Sequence, residues 1–507
     1  MVDIVVNHNG WNGPPDSVDY TKFNPFNRKE DYNTPYCEID YNRLGDTVSV
    51  PVSIQRLFKS LSIERSATNK SQAQLTQCWV GGNLVPLPDL KTSSPRVREG
   101  YNTWIKSLTS NYSIDGLRLD TVLQVEKSFW KGFRDAVSDM YMIGEIFQEG
   151  ADFVCDYQNY LTGLFNYPVY FPLINAFKST SGDMAKLSES IDKNTVSCKD
   201  ISLLGSFSEN HDNARFPSQQ GDIAQAANVI TFTMIADGIP ILYQGQEQHY
   251  DARGGANDPY NREALWFSGY NTDAQLYKLV ASLNKARKNA IRNDPSFLTT
   301  AANPIYTDTT TIAVKKGKLM TVLSNKGSSG SNYTQPIRSY YQSGSSVTEL
   351  LSCTKYTSDS GSYINVPMSA GMPRVFYPTA DIGTLCGGAT QDRVAGASYA
   401  EADTEVDAAA AAAPEESYSE ETSASTPDST ADAAAASSDA STSASDSTSS
   451  SDSSADSTVL DSSMSRPARP NRPSRPNRAT RNRARPSRAK LARRSNSGNM
   501  KASRWAA

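Results

Sequence analysis

Three carboxylates in this chain stand where an apolar strand pattern breaks into a loop. They are Asp120 in Ile114-Asp-Gly-Leu-Arg-Leu-Asp120, Glu145 in Met142-Ile-Gly-Glu145 and Asp212 in Phe207-Ser-Glu-Asn-His-Asp212. Cleaving an acetal takes one carboxylate that stays ionised to attack the anomeric carbon and one that is protonated to release the leaving oxygen, about 5–5.5 Å apart when configuration is retained. Asp120 fits the first role, because Arg118, two residues away on the same strand face, would hold it ionised. Glu145 fits the second, because the apolar Met142, Ile143 and Gly144 before it would raise its pKa. For the first stretch alone, a buried Arg118–Asp120 pair that only fixes a strand end is an equal reading.

A fourth stretch, Val2-Asp-Ile-Val-Val-Asn-His8, ends in the same way. In a parallel βα array the carboxyl ends of the strands open into one mouth, so four polar strand ends imply one shared site. Six strand candidates are legible: Val2–Asn7, Gly116–Asp120, Tyr141–Glu145, Leu164–Val169, Leu203–Ser208 and Ile239–Tyr243. Helical patterns such as Val97–Thr109 and Phe129–Asp139 supply the crossovers that a parallel sheet needs. Together the four stretches resemble the signature regions of the α-amylase superfamily, glycoside hydrolase family 13, and most closely the secreted fungal α-amylases of the Taka-amylase type. The resemblance runs from about Met1 to Cys386 with one interruption.

The resemblance implies an α/β fold, a (β/α)8 TIM barrel spanning residues 1–300 with domain B inserted at 9–95, followed by an antiparallel β-sandwich at 301–386. The strand at Val2–Asn7 matches the family's third. The expectation is therefore a chain that begins inside the barrel, without its first strands or leader, since a barrel closes only with all its strands. Residues 43–69 have no counterpart in the family pattern; a translated intron is the first reading and a genuine surface insertion the second.

By the same resemblance Asp120, Glu145 and Asp212 are the catalytic carboxylates of a retaining endo-acting α-amylase working on starch and glycogen. Asp212 would grip the hydroxyls of the distorted sugar. His8, Arg118, His211, Asp258 and Arg262 match sugar-binding positions, although Asp258 and Arg262 read equally as a surface ion pair. Leu123 and Gln124 replace a Lys-His pair that meets the leaving-group sugar in the Taka type, which opens a second reading as a 4-α-glucanotransferase. Ca2+ is the implied cofactor, with Asn7 and Asp89 as side-chain ligands and Gln124 through its carbonyl. Where the family has an acid before its Cys-Trp, this chain has Thr76-Gln77, so the site has lost charge. His249 reads as a structural loop residue.

Composition sets outer limits. Six cysteines, Cys37, Cys78, Cys155, Cys198, Cys353 and Cys386, with no CxxC spacing, read as a secreted disulfide set, and the resemblance implies pairing in chain order. Asn111-Tyr-Ser113 is an N-glycosylation sequon matching a site in the Taka type; Asn69 and Asn332 begin weaker ones. No apolar run is long enough to span a membrane.

The net charge is −4, yet residues 466–507 hold fourteen Lys or Arg and no acid, so the body before them is strongly acidic and does not favour nucleic acid. Residues 387–465, rich in Ser, Thr, Ala and Asp, cannot bury enough apolar surface to fold, and the Arg-rich tail at 466–507 is expected to be disordered too. The reading is a monomeric secreted enzyme on α-glucan, with a truncated, non-catalytic relative as a further alternative. Nucleic-acid binding would rest on the tail alone.

Overall fold

The computed structural model describes residues 1–40, 74–82, 85–138, 140–253 and 255–386. The 43–69 insert, with Asn69, and the two tail segments from 387 onward lie outside the described residues.

β1 (Val2–Ile4), β2 (Gly116–Leu119), β3 (Tyr141–Gly144) and β4 (Gly163–Leu164) form one parallel sheet in chain order, and β5 (Gly205–Ser206) pairs in parallel with β6 (Ile239–Pro240). A parallel bridge between Phe165 and Gly205 joins the two sets. Chain-order parallel strands require a crossover each time, and the helices Pro95–Tyr112 and Lys127–Val137 provide those before β2 and β3. Their apolar positions recur every three or four residues (Val97, Tyr101, Ile105; Phe129, Phe133, Val137), which turns one stripe onto the sheet residues Ile4, Leu117, Leu119 and Met142. Each such fully buried side chain stabilises the fold by roughly 1.5–3 kcal/mol.

The strand expectations need trimming. Leu164–Val169 is a strand only at its start: β4 ends at Leu164, the bridge at Phe165 is the last pairing, and helix Tyr167–Phe177 follows, with Pro168 in its first turn. That helix is buried on nearly every side, so its apolar run carries no period by which to separate it from a strand. Likewise Ile201–Leu203 is a 3-10 turn ahead of the two-residue β5, and β6 stops at Pro240, although Ile241 N still donates to Ser206 O at 2.8 Å. Helix Pro95–Tyr112 is longer than expected, with Pro95 at its start and Ser113 in the left-handed region at its end. Helix Lys127–Val137 has the expected length but begins and ends two residues earlier, stopping where Ser138 turns to positive φ.

Between β1 and β2 the described part of the excursion holds three 3-10 turns and isolated bridges rather than a sheet. Cys37–Cys78 closes it, and the buried Trp79 indole donates to Asn33 O at 2.8 Å. An Arg96–Asp31 ion pair of 2.9 Å anchors it to the following helix. Cys155–Cys198 and Cys353–Cys386 are the other disulfides, as the resemblance implies.

From Asn303 the chain turns antiparallel. β7 (Asn303–Thr307), β8 (Thr311–Lys316), β9 (Leu319–Ser324), β11 (Ser346–Glu349), β12 (Thr354–Thr357) and β14 (Arg374–Pro378) form a sheet ordered β12-β11-β14-β9-β8-β7, while β10 (Tyr333–Arg338) pairs with β13 (Tyr363–Met368). Ala313, Met320, Val322 and Phe376 point toward Ile337, Ile364 and Val366 of the small sheet. The alternate residues Ile312, Val314, Val375 and Tyr377 join the core built around helix Ile223–Ile235. A central sheet covered on both faces explains why every residue of β9 is buried, Thr321 and Ser324 included.

Candidate active site

Register decides which carboxylates meet. Asp3, Arg118 and Ile143 are cross-strand partners, as are Ile4, Leu119 and Gly144, so Asp120 and Glu145 fall side by side one residue beyond the paired strands. Two further backbone bonds hold that row: Asp120 N donates to Ile4 O and Glu145 N to Leu119 O, each at 2.9 Å. Gly144 packs closely beneath it: a Cβ there would lie 2.4 Å from Leu161 Cδ1 and would have to displace that side chain.

Arg118 sits between the two acids. Its Nη1 donates to Asp120 Oδ1 at 2.6 Å and its Nη2 to Glu145 Oε2 at 2.7 Å, and Nη1 also reaches Asp3 Oδ1 at 3.0 Å. Burial alone would lower the Arg118 pKa, but the charges of Glu145, Asp120 and Asp3 push it above its ordinary range. Glu145 is pushed up to about 7 by burial. Arg118 pulls it back, while the negative charges of Asp212 and Asp120 and a hydrogen bond to Asp120 push it further up. Those interactions place all three carboxylates in one mouth. His8 is lowered by burial, offset in part by the Asp120 charge, and so favours the neutral imidazole.

The third carboxylate belongs to a tight turn after β5. Asn210 Oδ1 accepts from the backbone N–H of Asp212 and Asn213, at 3.1 and 2.9 Å. His211 Nε2 lies 3.2 Å from Asp212 Oδ2, and Arg262 Nη2 lies 3.3 Å from Asp212 Oδ1. Arg262 Nε also pairs with Asp258 at 3.0 Å, so the ion pair and the approach to the carboxylates are both present in one residue. His249 caps a 3-10 turn in the left-handed region.

The structure differs at Leu123. Thr121 adopts positive φ and starts a 3-10 turn over Val122–Gln124, which carries Leu123 into the core, where it is 2% exposed. The expected sugar contact there is not presented by this side chain. Gln124 is also largely buried.

Asn7 and Asp89 come together: Leu90 N donates to Asn7 O at 2.7 Å, and His8 bridges to Asp89. Burial pushes Asp89 up to about 8, against hydrogen bonds from Asn33 and Asn7 and with the Glu126 charge. Its Oδ2 accepts from Asn33 at 2.6 Å, whereas Oδ1 is buried without a hydrogen-bond partner. A buried carboxylate oxygen left open among amide and carbonyl oxygens fits a hard cation. Among the described residues no group of three or more His, Cys, Asp or Glu is arranged to hold a metal ion, so an ion here would rely on Asp89 and neutral oxygens.

Besides Asp3, Tyr167 and Asn210 escaped the sequence reading. Tyr167 donates its hydroxyl to Glu145 Oε1 at 3.3 Å, and Asn210 Nδ2 donates to that hydroxyl at 3.0 Å. Asn210 adjoins His211 and was within reach. Tyr167 lies in an apolar run that gives no sign of a polar duty.

Residues 1–296 match the family described as alpha amylase, catalytic domain, and residues 304–394 match alpha-amylase, domain C. The chain is 39% identical over 385 residues to Alpha-amylase 2 of Schwanniomyces occidentalis, covering 75% of this chain and 69% of that one. It is 43% identical over 388 residues to Alpha-amylase 1 of Lipomyces kononenkoae, covering 75% and 57%. Among solved structures, the alpha-amylase from Malbranchea cinnamomea is similar, with 44% identity, a TM-score of 0.67 and coverage of 76% of this chain and 75% of that one. The array of parallel strands, the three carboxylates at its mouth and these matches agree: the chain belongs to the alpha-amylase family of glycoside hydrolases.

Proposed function

We propose that this alpha-amylase cleaves internal α-1,4-glucosidic bonds of starch and glycogen with retention of configuration. Asp120 is the nucleophile, Glu145 the acid and then base, and Asp212 the group that holds the distorted sugar. The observation that carries the reading is the single Arg118 guanidinium bonded to Asp120 and Glu145 at once. Attack by Asp120 on the anomeric carbon breaks the bond to the leaving oxygen, which takes its proton from Glu145. Water then gives a proton back to Glu145 as it displaces Asp120. His8, His211, Asp258 and Arg262 line the sugar side. Calcium, held by Asn7 and Asp89 with the Gln124 carbonyl, would supply positive charge that clamps the excursion to the sheet.

The reading extends to the whole chain. Residues 1–300 form the barrel with 9–95 as its inserted domain, residues 301–386 a supporting sandwich, and the protein works as a secreted monomer glycosylated at Asn111, an exposed residue of helix Pro95–Tyr112. Transfer to a sugar hydroxyl in place of water would run on the same carboxylates. Its motive, the change at Leu123 and Gln124, is weakened by the burial of Leu123.

Asp120→Asn and Glu145→Gln test the roles. Asp120→Asn is expected to lose all turnover on starch and on activated aryl maltosides alike. Glu145→Gln should lose starch hydrolysis while retaining attack on the activated aryl maltoside, whose leaving group needs no proton. Equal losses of Glu145→Gln on both substrates would remove Glu145 as the acid, and maltooligosaccharide products longer than the substrate would favour transfer.

A further inference from the structure

We infer that Tyr167, held by Asn210, is a positioning residue that fixes the carboxyl of Glu145 and sets the pH above which it fails as an acid. The inference rests on the reading of Glu145 as the acid. Glu145 meets charged or titratable groups from three sides: Arg118 and Asp120 from β2 and its end, Asp212 from the turn after β5, and Tyr167 from helix Tyr167–Phe177. Arg118 takes Oε2 and Tyr167 takes Oε1, so both oxygens have a donor and the carboxyl plane is defined.

The direction of the Tyr167 proton is also defined. Asn210 Nδ2 donates to the hydroxyl oxygen, which leaves the hydroxyl hydrogen for Glu145. The same Asn210 uses its carbonyl oxygen to cap the Asp212 turn. One amide thus ties the loop that carries Asp212 to the acid across the mouth. Burial, together with the charges of Glu145 and Asp212, raises the Tyr167 hydroxyl pKa well above its ordinary value, so it remains a donor throughout the working range. Its ring packs on Phe147, Phe171 and Phe207, contacts that phenylalanine would keep.

A donor to a carboxylate favours the ionised form. Removing the hydroxyl therefore raises the Glu145 pKa and carries the alkaline limb of kcat/KM with it. The test is the pH profile of the full chain on maltoheptaose for wild type, Tyr167→Phe, Asn210→Ala and the double variant, and on an activated aryl maltoside for wild type and Glu145→Gln. Tyr167→Phe is expected to move the alkaline limb up by about half a pH unit or more, and to lower kcat by up to about tenfold with KM nearly unchanged. Asn210→Ala should move the limb the same way, and its shift should vanish in the Tyr167→Phe background. An alkaline limb unmoved in Tyr167→Phe, with the limb abolished in Glu145→Gln, overturns the positioning role and leaves the acid in place. A limb that persists in Glu145→Gln overturns the assignment of the acid and this inference with it. Should Asn210→Ala not fold, Tyr167→Phe alone decides.

Discussion

Arg118 Nη2 lies 2.7 Å from Glu145 Oε2, and the two side chains are only 13% and 12% exposed. The pair works against burial: desolvation drives Glu145 up to about 7, and Arg118 restrains it. An acid must be protonated to act, so kcat/KM on starch is expected to fall as pH rises past about 7. Arg118→Met removes the restraint, so the limb should move to higher pH while kcat/KM drops by roughly 10³, the scale for losing one preorganised charge contact. Profiles that fall at the same pH in both proteins would show that the limb belongs to another group.

The same shift predicts a stability effect of known sign. The native state keeps a proton on Glu145 that the unfolded chain, near its ordinary 4.5, has released. Stability from this group is therefore full below about 4.5 and lost as pH rises through about 7. Glutamine does not titrate, so the Tm of Glu145→Gln relative to wild type should climb across that window. Thermal unfolding at a series of pH values measures it, and a flat difference would mean that Glu145 is ionised in the native protein.

How far the sequence could be read depended on period and on partners. Helices with one apolar stripe, such as Lys127–Val137, and strands ending in charge, such as β2 and β3, were legible because burial on one side leaves a repeat. Helix Tyr167–Phe177, buried nearly all round, has no such repeat, and it took Tyr167 out of view with it. Asp120 and Glu145 stood out as charges after apolar runs. Asp3 did not, since its part is assigned only by the register that sets it opposite Arg118. Leu123 misled for a related reason: its direction depends on the positive φ of Thr121, which residue type does not announce.

Asn7 and Asp89 give the cation reading a test that does not depend on turnover. EDTA is expected to lower the Tm of the wild type, and added calcium to restore it, as ligand binding to the native state alone requires. Asp89→Asn keeps the size of the side chain but removes the charge at the oxygen that has no hydrogen-bond partner, so EDTA should have little effect on it. The cation proposal fails if the wild type melts identically with and without chelator.

Leu123 separates a core role from a sugar contact. With a side chain 2% exposed among Val122, Val125 and Trp130, Leu123→Ala should cost about 2–5 kcal/mol in urea unfolding. KM for maltooligosaccharides should stay near the wild-type value. A raised KM without loss of stability would return the residue to the substrate side.

Arg215 is a fully buried charge beside the site, and its loss should be felt in both stability and binding. Its side chain is 0% exposed; Nε pairs with Glu263 at 2.6 Å, Nη1 with Glu209 at 3.2 Å, and Nη1 donates to Gln244 O at 2.9 Å. The guanidinium also lies 4.4 Å over the Tyr243 ring. Glu209 opens the turn that carries Asp212, and Glu263 follows Arg262, which contacts Asp212, so one side chain sets the two loops against each other. Burial pushes Glu209 up to about 7 against the pull of Arg215, so the acid depends on that charge to stay ionised. Arg215→Met would strand two carboxylates, one of them fully buried, and is expected to destabilise by about 3–5 kcal/mol at pH 7. Arg215→Lys keeps the charge but cannot span both acids and stack on a ring, so it should recover only part of that stability. The lysine variant, folded at 25 °C, should show a KM for maltooligosaccharides several-fold above wild type, because Arg262 and Asp212 no longer share a fixed frame. Wild-type unfolding midpoint and KM in Arg215→Lys would show that the charge alone suffices and that the fork geometry has no part in the site.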